Sequence, residues 1–204
     1  TVTANSSGDV LFPDGDKAIF GAGSDLQIYH DGSNSIIHNA TGTLNIKNDD
    51  IRFKTSGDET SLRAIANGAV ELMHNNVTKL ATTATGVTVT GAIKPTTYQE
   101  TYVANSTGAT TTLDLATATN FSVTLSQNTQ FAFSNPPGSG TAFAFTLVIT
   151  QPSSAKTILW PSTVDWAGGS APAAPGNSEV NAYGFMTRDG GTTYYGFLGG
   201  AALG

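Results

Sequence analysis

Short apolar segments separated by turn-forming residues run through the first half of the chain, and they constrain the fold more than any other feature. From Asp25 to Ile93, eight segments of two or three apolar residues begin between 7 and 11 residues apart. Turn formers such as Asp31-Gly32 and Asn75-Asn76 separate them. Segments this short favour strands, and an isolated hairpin of such strands is only marginally stable in water. We therefore predict that these strands bury one face against the neighbouring rungs of a solenoid or against other chains.

The composition supports an all-β fold and excludes several classes of protein. Of the 204 residues, 31 are Thr and 23 are Gly, and only 12% are charged. Such a chain has little material for helices but suits strands and turns. The net charge of -6 and the scattered nine Lys and Arg residues leave no basic surface for nucleic acid. No apolar run approaches the roughly 18 residues of a membrane span, and a chain without Cys has neither disulfides nor thiolate metal ligands.

The pattern of apolar residues changes at Lys94-Pro95. Pro removes a backbone donor and restricts the residue before it, so this dipeptide is interpreted as a boundary between two regions. We predict an N-terminal connector over residues 1–15, a β shaft over 16–94 and a separate C-terminal domain over 95–204. In the last range, apolar residues alternate with small or hydroxylated ones, which predicts an antiparallel β-sandwich of roughly seven to nine strands. The side chains predicted to point inward are Phe121, Phe131, Phe133, Phe143, Phe145, Leu147 and Ile149.

A final hairpin is predicted between Val180 and Leu198, with its turn at Asp189-Gly190-Gly191. Its first strand is apolar on both faces: Tyr183 and Phe185 share one face and Met186 lies on the other. A strand that is apolar on both faces is covered on both faces. We therefore predict that one cover is the opposing sheet and that the other is a second subunit, which makes Tyr183, Phe185 and Met186 candidate interface residues.

Three segments resemble tail-fibre proteins of tailed phages, particularly marine phages that infect cyanobacteria. The first is Asp16 to Ser35, DKAIFGAGSDLQIYHDGSNS, and the second is Lys79 to Gly91, KLATTATGVTVTG. The third comprises TILWPS from Thr157, DWAGG from Asp165 and TRDGGTTYYGF from Thr187, and it is similar to a C-terminal domain that often follows the other two. The resemblance is specific for phage fibres as a group rather than for one position on the virion.

The resemblance implies a homotrimeric, non-enzymatic fibre located in the virion tail and exposed outside the cell. It implies a short-rung β-helical or β-solenoid shaft made by three intertwined chains, followed by a jelly-roll-like C-terminal knob. The implied partners are a host cell-surface glycan or outer-membrane component, and other tail proteins bound through an N-terminal part that precedes Thr1. No cofactor, nucleic acid or membrane insertion is expected. The alternatives are an assembly or collar module that binds no receptor, and a glycan-depolymerising spike.

The residues themselves offer one candidate binding site and no catalytic site. Trp166 precedes a loop rich in Gly, Ala and Pro, and exposed aromatic rings can stack on pyranose rings while carboxylates and amides bind the sugar hydroxyls. Asp165, Trp166 and Asn177 are therefore the candidate receptor-binding residues, although Trp166 also suits a core position. The adjacent acids Asp49-Asp50 and Asp58-Glu59 are interpreted as solvated turns rather than a glycosidase pair. The three His residues lack a His-x-His pattern, so no metal site is predicted.

Overall fold

The computed structural model describes residues 3, 4 and 7–203, and the chain is all-β. No α-helix occurs in this part of the chain, whose one helical element is a 3-10 turn at Ala167–Gly169. No described helix is long and apolar enough to cross a membrane. The chain divides into two units, Thr1–Lys94 and Pro95–Gly204. The predicted connector over residues 1–15 lies partly outside the described residues.

The first unit consists of short strands, each paired with its neighbour in sequence. A two-stranded sheet and a three-stranded sheet come first: β1 (Thr3–Ala4) and β2 (Val10–Leu11), then β3 (Lys17–Phe20), β4 (Leu26–His30) and β5 (Ser35–Asn39). A five-stranded sheet follows: β6 (Asp50–Lys54), β7 (Thr60–Ile65), β8 (Val70–His74), β9 (Val77–Thr83) and β10 (Gly86–Val89). All of these pairings are antiparallel.

These sheets differ from the predicted solenoid, whose rungs would stack in parallel. The reason lies in the turns, because the segments are joined by connections too short for a crossover. Asn75 and Asn76 show this most clearly, since both have positive φ (51° and 58°) and together form a two-residue connection between β8 and β9. That backbone geometry matches the twist of a hairpin and reverses the chain at once. Within one chain the first unit is therefore a series of antiparallel meanders.

The second unit contains nine strands in two facing sheets. The strands are β11 (Tyr102–Asn105), β12 (Thr110–Asp114), β13 (Asn120–Thr124), β14 (Thr129–Ser134), β15 (Phe143–Thr150), β16 (Ile158–Leu159), β17 (Val164–Trp166), β18 (Val180–Thr187) and β19 (Tyr194–Gly200). The larger sheet has the order β11-β13-β15-β18-β19-β17, and the smaller has the order β12-β14-β16. The nine strands and the hairpin β18–β19 agree with the prediction.

The predicted antiparallel pairing is wrong for most of this unit, and with it the jelly-roll-like topology. From β11 to β16 the chain alternates between the two sheets, so strands that are neighbours in one sheet are two apart in sequence and run parallel. Only β15–β18 and β18–β19 are antiparallel, and β17 pairs in parallel with β19. The period-two pattern specifies which face of a strand is buried but says nothing about the direction of its partner. Parallel pairing between strands that are two apart in sequence thus occurs in the C-terminal unit and not in the first one.

An aromatic core fills the space between the two sheets. Phe121, Phe131, Phe145, Leu147 and Ile149 are buried, and Phe133 and Phe143 pack against them half-buried, so the predicted inward set is confirmed. The ring of Phe133 from the smaller sheet contacts Phe145, with 5.0 Å between centroids, and Tyr194 of the larger sheet, with 4.9 Å. Such edge-on contacts add to the stabilisation that burial alone provides. The second unit therefore has its own closed core.

Candidate functional site

Trp166, the aromatic residue of the predicted sugar site, belongs to this core. Its side chain is 9% exposed, and its ring lies 5.2 Å from that of Trp160. A Cβ atom added at Gly196 of the neighbouring strand would lie 2.8 Å from two Trp166 ring carbons, so the ring is pressed flat against the β19 backbone. A ring that is 9% exposed and packs against Gly196 and Trp160 offers too little surface for a sugar ring to stack on.

The other two predicted receptor-binding residues lie elsewhere. Asp165 is exposed and pairs in register with Tyr195. Asn177 uses its side-chain oxygen to accept a hydrogen bond from the backbone N–H of Ala155, at 2.8 Å, and so ties two loops together. A cavity of about 370 Å³ is lined by Trp166 but by neither Asp165 nor Asn177. The structure therefore does not bring the three residues together.

The candidate interface residues of the hairpin point in opposite directions. Tyr183 is 1% exposed and Phe185 is 2% exposed, and both contact the ring of Trp160 in the core of the same chain. Met186 points the other way and is 38% exposed. Of the three, only Met186 is available to another molecule.

The five-stranded sheet of the first unit is amphipathic. One residue from each strand joins a continuous row across the sheet, and cross-strand pairing links them in the order Phe53, Leu62, Leu72, Leu80, Val89. We call these five residues the apolar row. None of them is buried, and Phe53 is 56% exposed. More generally, no described side chain of residues 7–94 is buried, which distinguishes this unit from the second one.

The opposite face of this sheet carries an ion-pair network centred on Asp50. Arg52 lies 2.5 Å from its carboxylate and Arg63, on the adjacent strand, lies 2.9 Å away. The hydrogen bond from Arg52 makes the largest contribution to holding the pKa of Asp50 well below its usual range, and the hydrogen bond from Arg63 adds to it. Glu71 extends the network through a longer contact of 3.9 Å with Arg63. One face of the sheet is thus suited to water and the other is not.

A trough crosses the outer face of the larger sheet in the second unit. Cross-strand pairing places Tyr102, Asn120, Thr146, Gly184 and Phe197 in one row across five strands. Gly184 lies in the floor of the trough, where a Cβ atom would meet nothing within 4 Å. The space above it measures about 340 Å³. Side chains lining it include Glu100, Thr119, Ala144, Thr146, Met186 and Phe197.

The polar side of this Gly184 trough is internally hydrogen-bonded. The hydroxyl of Thr146 donates to the side-chain oxygen of Asn120, at 2.6 Å, and the amide nitrogen of Asn120 donates to the carboxylate of Glu100. On the other side stand Met186 and Phe197, the latter 53% exposed. The trough could not be predicted from local sequence patterns, since the residues that line it come from distant parts of the chain. The one available signal was Gly184, a glycine inside an otherwise apolar strand.

The described residues contain no arrangement typical of a metal centre. No group of three or more metal-ligating side chains occurs among them. The three His residues are all exposed, on β4, β5 and β8. The hydroxyl of Ser35 lies within hydrogen-bond distance of a ring nitrogen of His30, at 3.3 Å.

Comparisons with known proteins found no relative: no family model, no curated protein and no solved structure matches the chain.

Proposed function

We propose that this chain is the shaft and C-terminal knob of a homotrimeric phage tail fibre, a structural adhesin that attaches the virion to the host cell surface. The observation that carries the proposal is the contrast between the units: residues 95–204 have a closed core, and the described residues of 7–94 have no buried side chain. A unit that buries nothing within one chain needs other copies to fold stably. The segments that resemble phage tail fibres supply the biological setting.

The apolar row is the surface through which the copies meet. Its residues span all five strands, while the opposite face bears the Asp50 network. Apolar faces of this extent are normally covered, because exposed apolar surface is unfavourable in water. Three copies placing this face toward a common axis would bury it and leave the charged faces outside. Closed symmetric association satisfies every copy equally, and the number three comes from the resemblance to fibres.

Asp50 and Asp58, which belong to the two adjacent acid pairs of the sequence, do not suit glycan cleavage. A glycosidase needs one carboxyl with a raised pKa to protonate the leaving group. The pKa of Asp50 is lowered by Arg52 and Arg63, and that of Asp58 by a hydrogen bond from Lys54. These two members of the adjacent acid pairs are therefore ion-pair partners and do not suit the role of proton donor.

Two measurements on the same preparation test the proposal. Light scattering should give the mass of three chains, and the labelled protein should adsorb to cells of marine cyanobacteria, with adsorption lost when residues 95–204 are removed. A trimer that adsorbs to no strain would instead favour the assembly or collar module. New reducing ends after incubation with envelope polysaccharide would favour the depolymerising spike, and a monomer would contradict the fibre altogether.

A further inference from the structure

No neighbouring group within the chain explains why a glycine occupies position 184 in strand β18. A glycine inside a strand costs stability relative to other residues and often marks a place where a ligand or another backbone approaches closely. Gly196, on the adjacent strand β19, is explained by the Trp166 ring packed on it. Gly184 has neither a positive φ nor a neighbour within 4 Å of its missing Cβ. The open space above it therefore points to an external molecule.

Most of the hydrogen-bonding capacity around the trough is that of acceptors, and the Thr119 hydroxyl is the one lining group with a proton free to donate. The Thr146 hydroxyl proton is already donated to Asn120, and the amide group of Asn120 is directed to Glu100 and Thr119. What remains for a ligand are lone pairs on the Glu100 carboxylate and on the Thr146 oxygen, together with the hydroxyl proton of Thr119. The two cations of the unit, Lys156 and Arg188, are not among the lining residues. The trough therefore favours a ligand that supplies several donors and carries no negative charge beside Glu100.

A second copy of the chain suits this trough poorly. Covering it with protein would remove water from the Glu100 carboxylate, and no cation among the lining groups would compensate for burying that charge. The covering copy would have to place one of its own nine Lys and Arg side chains there. A polyol replaces the lost water with its own hydroxyl donors. It also presents C–H groups to apolar side chains, and Phe197 and Met186 offer an apolar wall beside the acceptors.

We propose that the Gly184 trough binds a neutral oligosaccharide, with one sugar ring over Gly184 against Phe197 and with hydroxyls donating to Glu100 and Thr146. The row continues to Tyr102, which is also exposed, and spans five strands, or about 19 Å at ~4.8 Å per strand. This length favours an oligosaccharide over a single sugar. The inference rests on the proposed adhesin function for its biological meaning and specifies the class of receptor.

Saturation-transfer NMR on the full chain tests the site with three neutral probes: maltopentaose, cellopentaose and chitopentaose. At least one should bind, and Gly184→Leu should raise its Kd tenfold or more by filling the trough. Phe197→Ala should raise the Kd about tenfold, which corresponds to the loss of one stacking contact. Gly138→Leu is the matched control, because a Cβ at Gly138 also meets open space but lies outside the lining set.

Several outcomes would overturn the site. These are the absence of transfer to all three probes, wild-type affinity in Gly184→Leu, and dissociation of the assembly by Gly184→Leu with unchanged sugar binding, which would assign the trough to a second copy. Adsorption to cells tests the adhesin proposal separately from the sugar site. If Gly184→Leu still adsorbs to cells that the wild type binds, the site is wrong and the adhesin stands. If the wild type binds a probe at the trough but adsorbs to no cells, the adhesin is wrong and the site stands.

Discussion

Gly184 and Gly196 lie on adjacent strands of one sheet, yet their surroundings predict opposite effects of adding a side chain. Gly184→Val should raise the free energy of unfolding by about 0.5–1 kcal/mol, because the new side chain meets open space and the strand loses a flexible residue. Gly196→Ala should lower it by about 1–3 kcal/mol, since the Cβ would lie 2.8 Å from the Trp166 ring. Urea denaturation monitored by Trp fluorescence measures both. Equal effects of the two substitutions would contradict the assigned packing.

Asp50 should make the stability of the protein depend on acidity. Its pKa is lowered in the folded state, so the stabilisation it provides is fully present above its unfolded pKa of about 3.9 and is lost as the pH falls toward the folded value. Asp50→Asn should therefore lower the Tm by a constant amount between pH 5 and 8, and the difference from the wild type should shrink below about pH 4. Asp49→Asn is the control, since Asp49 has no ion pair among the described residues. A pH-independent difference for Asp50→Asn would contradict the network.

The five-stranded sheet makes a prediction about assembly. Phe53→Asp should convert trimers to monomers or aggregates, because it places a charge at one end of the apolar row. In a single chain this position is 56% exposed, so the charge would remain hydrated and would disturb no packing within that chain. Thr88→Asp on the edge strand β10 is the control, since it points to the opposite face and is also exposed. Light scattering compares the masses, and a Phe53→Asp trimer as stable as the wild type would exclude the row as the interface.

The hairpin β18–β19 buries one face of its first strand in the core of its own chain and leaves Met186 exposed on the other face. Its Tyr183 and Phe185 side chains stabilise the core of their own chain, so substitutions there report on folding and not on association. Phe185→Ala should lower the free energy of unfolding by about 3–5 kcal/mol, as for other buried Phe side chains. Met186→Ala, on the outer face, should change it by less than about 1 kcal/mol. A comparable loss for both would contradict the assigned orientation of the strand.

The two units of the molecule should differ in their dependence on concentration. Residues 95–204 contain the complete aromatic core and should fold cooperatively as an isolated fragment. Residues 1–94 contain no described buried side chain, so as a monomer they should lack a cooperative thermal transition. Circular dichroism of each fragment over a hundredfold range of concentration tests this. A concentration-independent transition in the 1–94 fragment would show that one chain suffices for its stability.

Local patterns predicted the strands and their buried faces. Phe121 alternates with the polar residues Asn120 and Ser122, and in a strand alternation alone decides which side chains share a face. The turn at Asp189-Gly190-Gly191 likewise depends on a few adjacent residues, because both glycines have positive φ. These features follow from short stretches of chain and could be read from them.

The partners of the strands required the folded chain. Whether β13 lies beside β15 or β14 depends on where the connecting loops cross between the sheets, and period-two alternation is the same in either case. Trp166 is a core side chain because Trp160, Tyr183 and Gly196 converge on it from three other segments. The Gly184 trough likewise gathers Glu100, Thr146 and Phe197 from strands and loops nearly a hundred residues apart. Sequence alternation determines which face of a strand is buried, whereas long-range pairing determines which residues meet there, because contacts between distant segments exist only once the chain has folded.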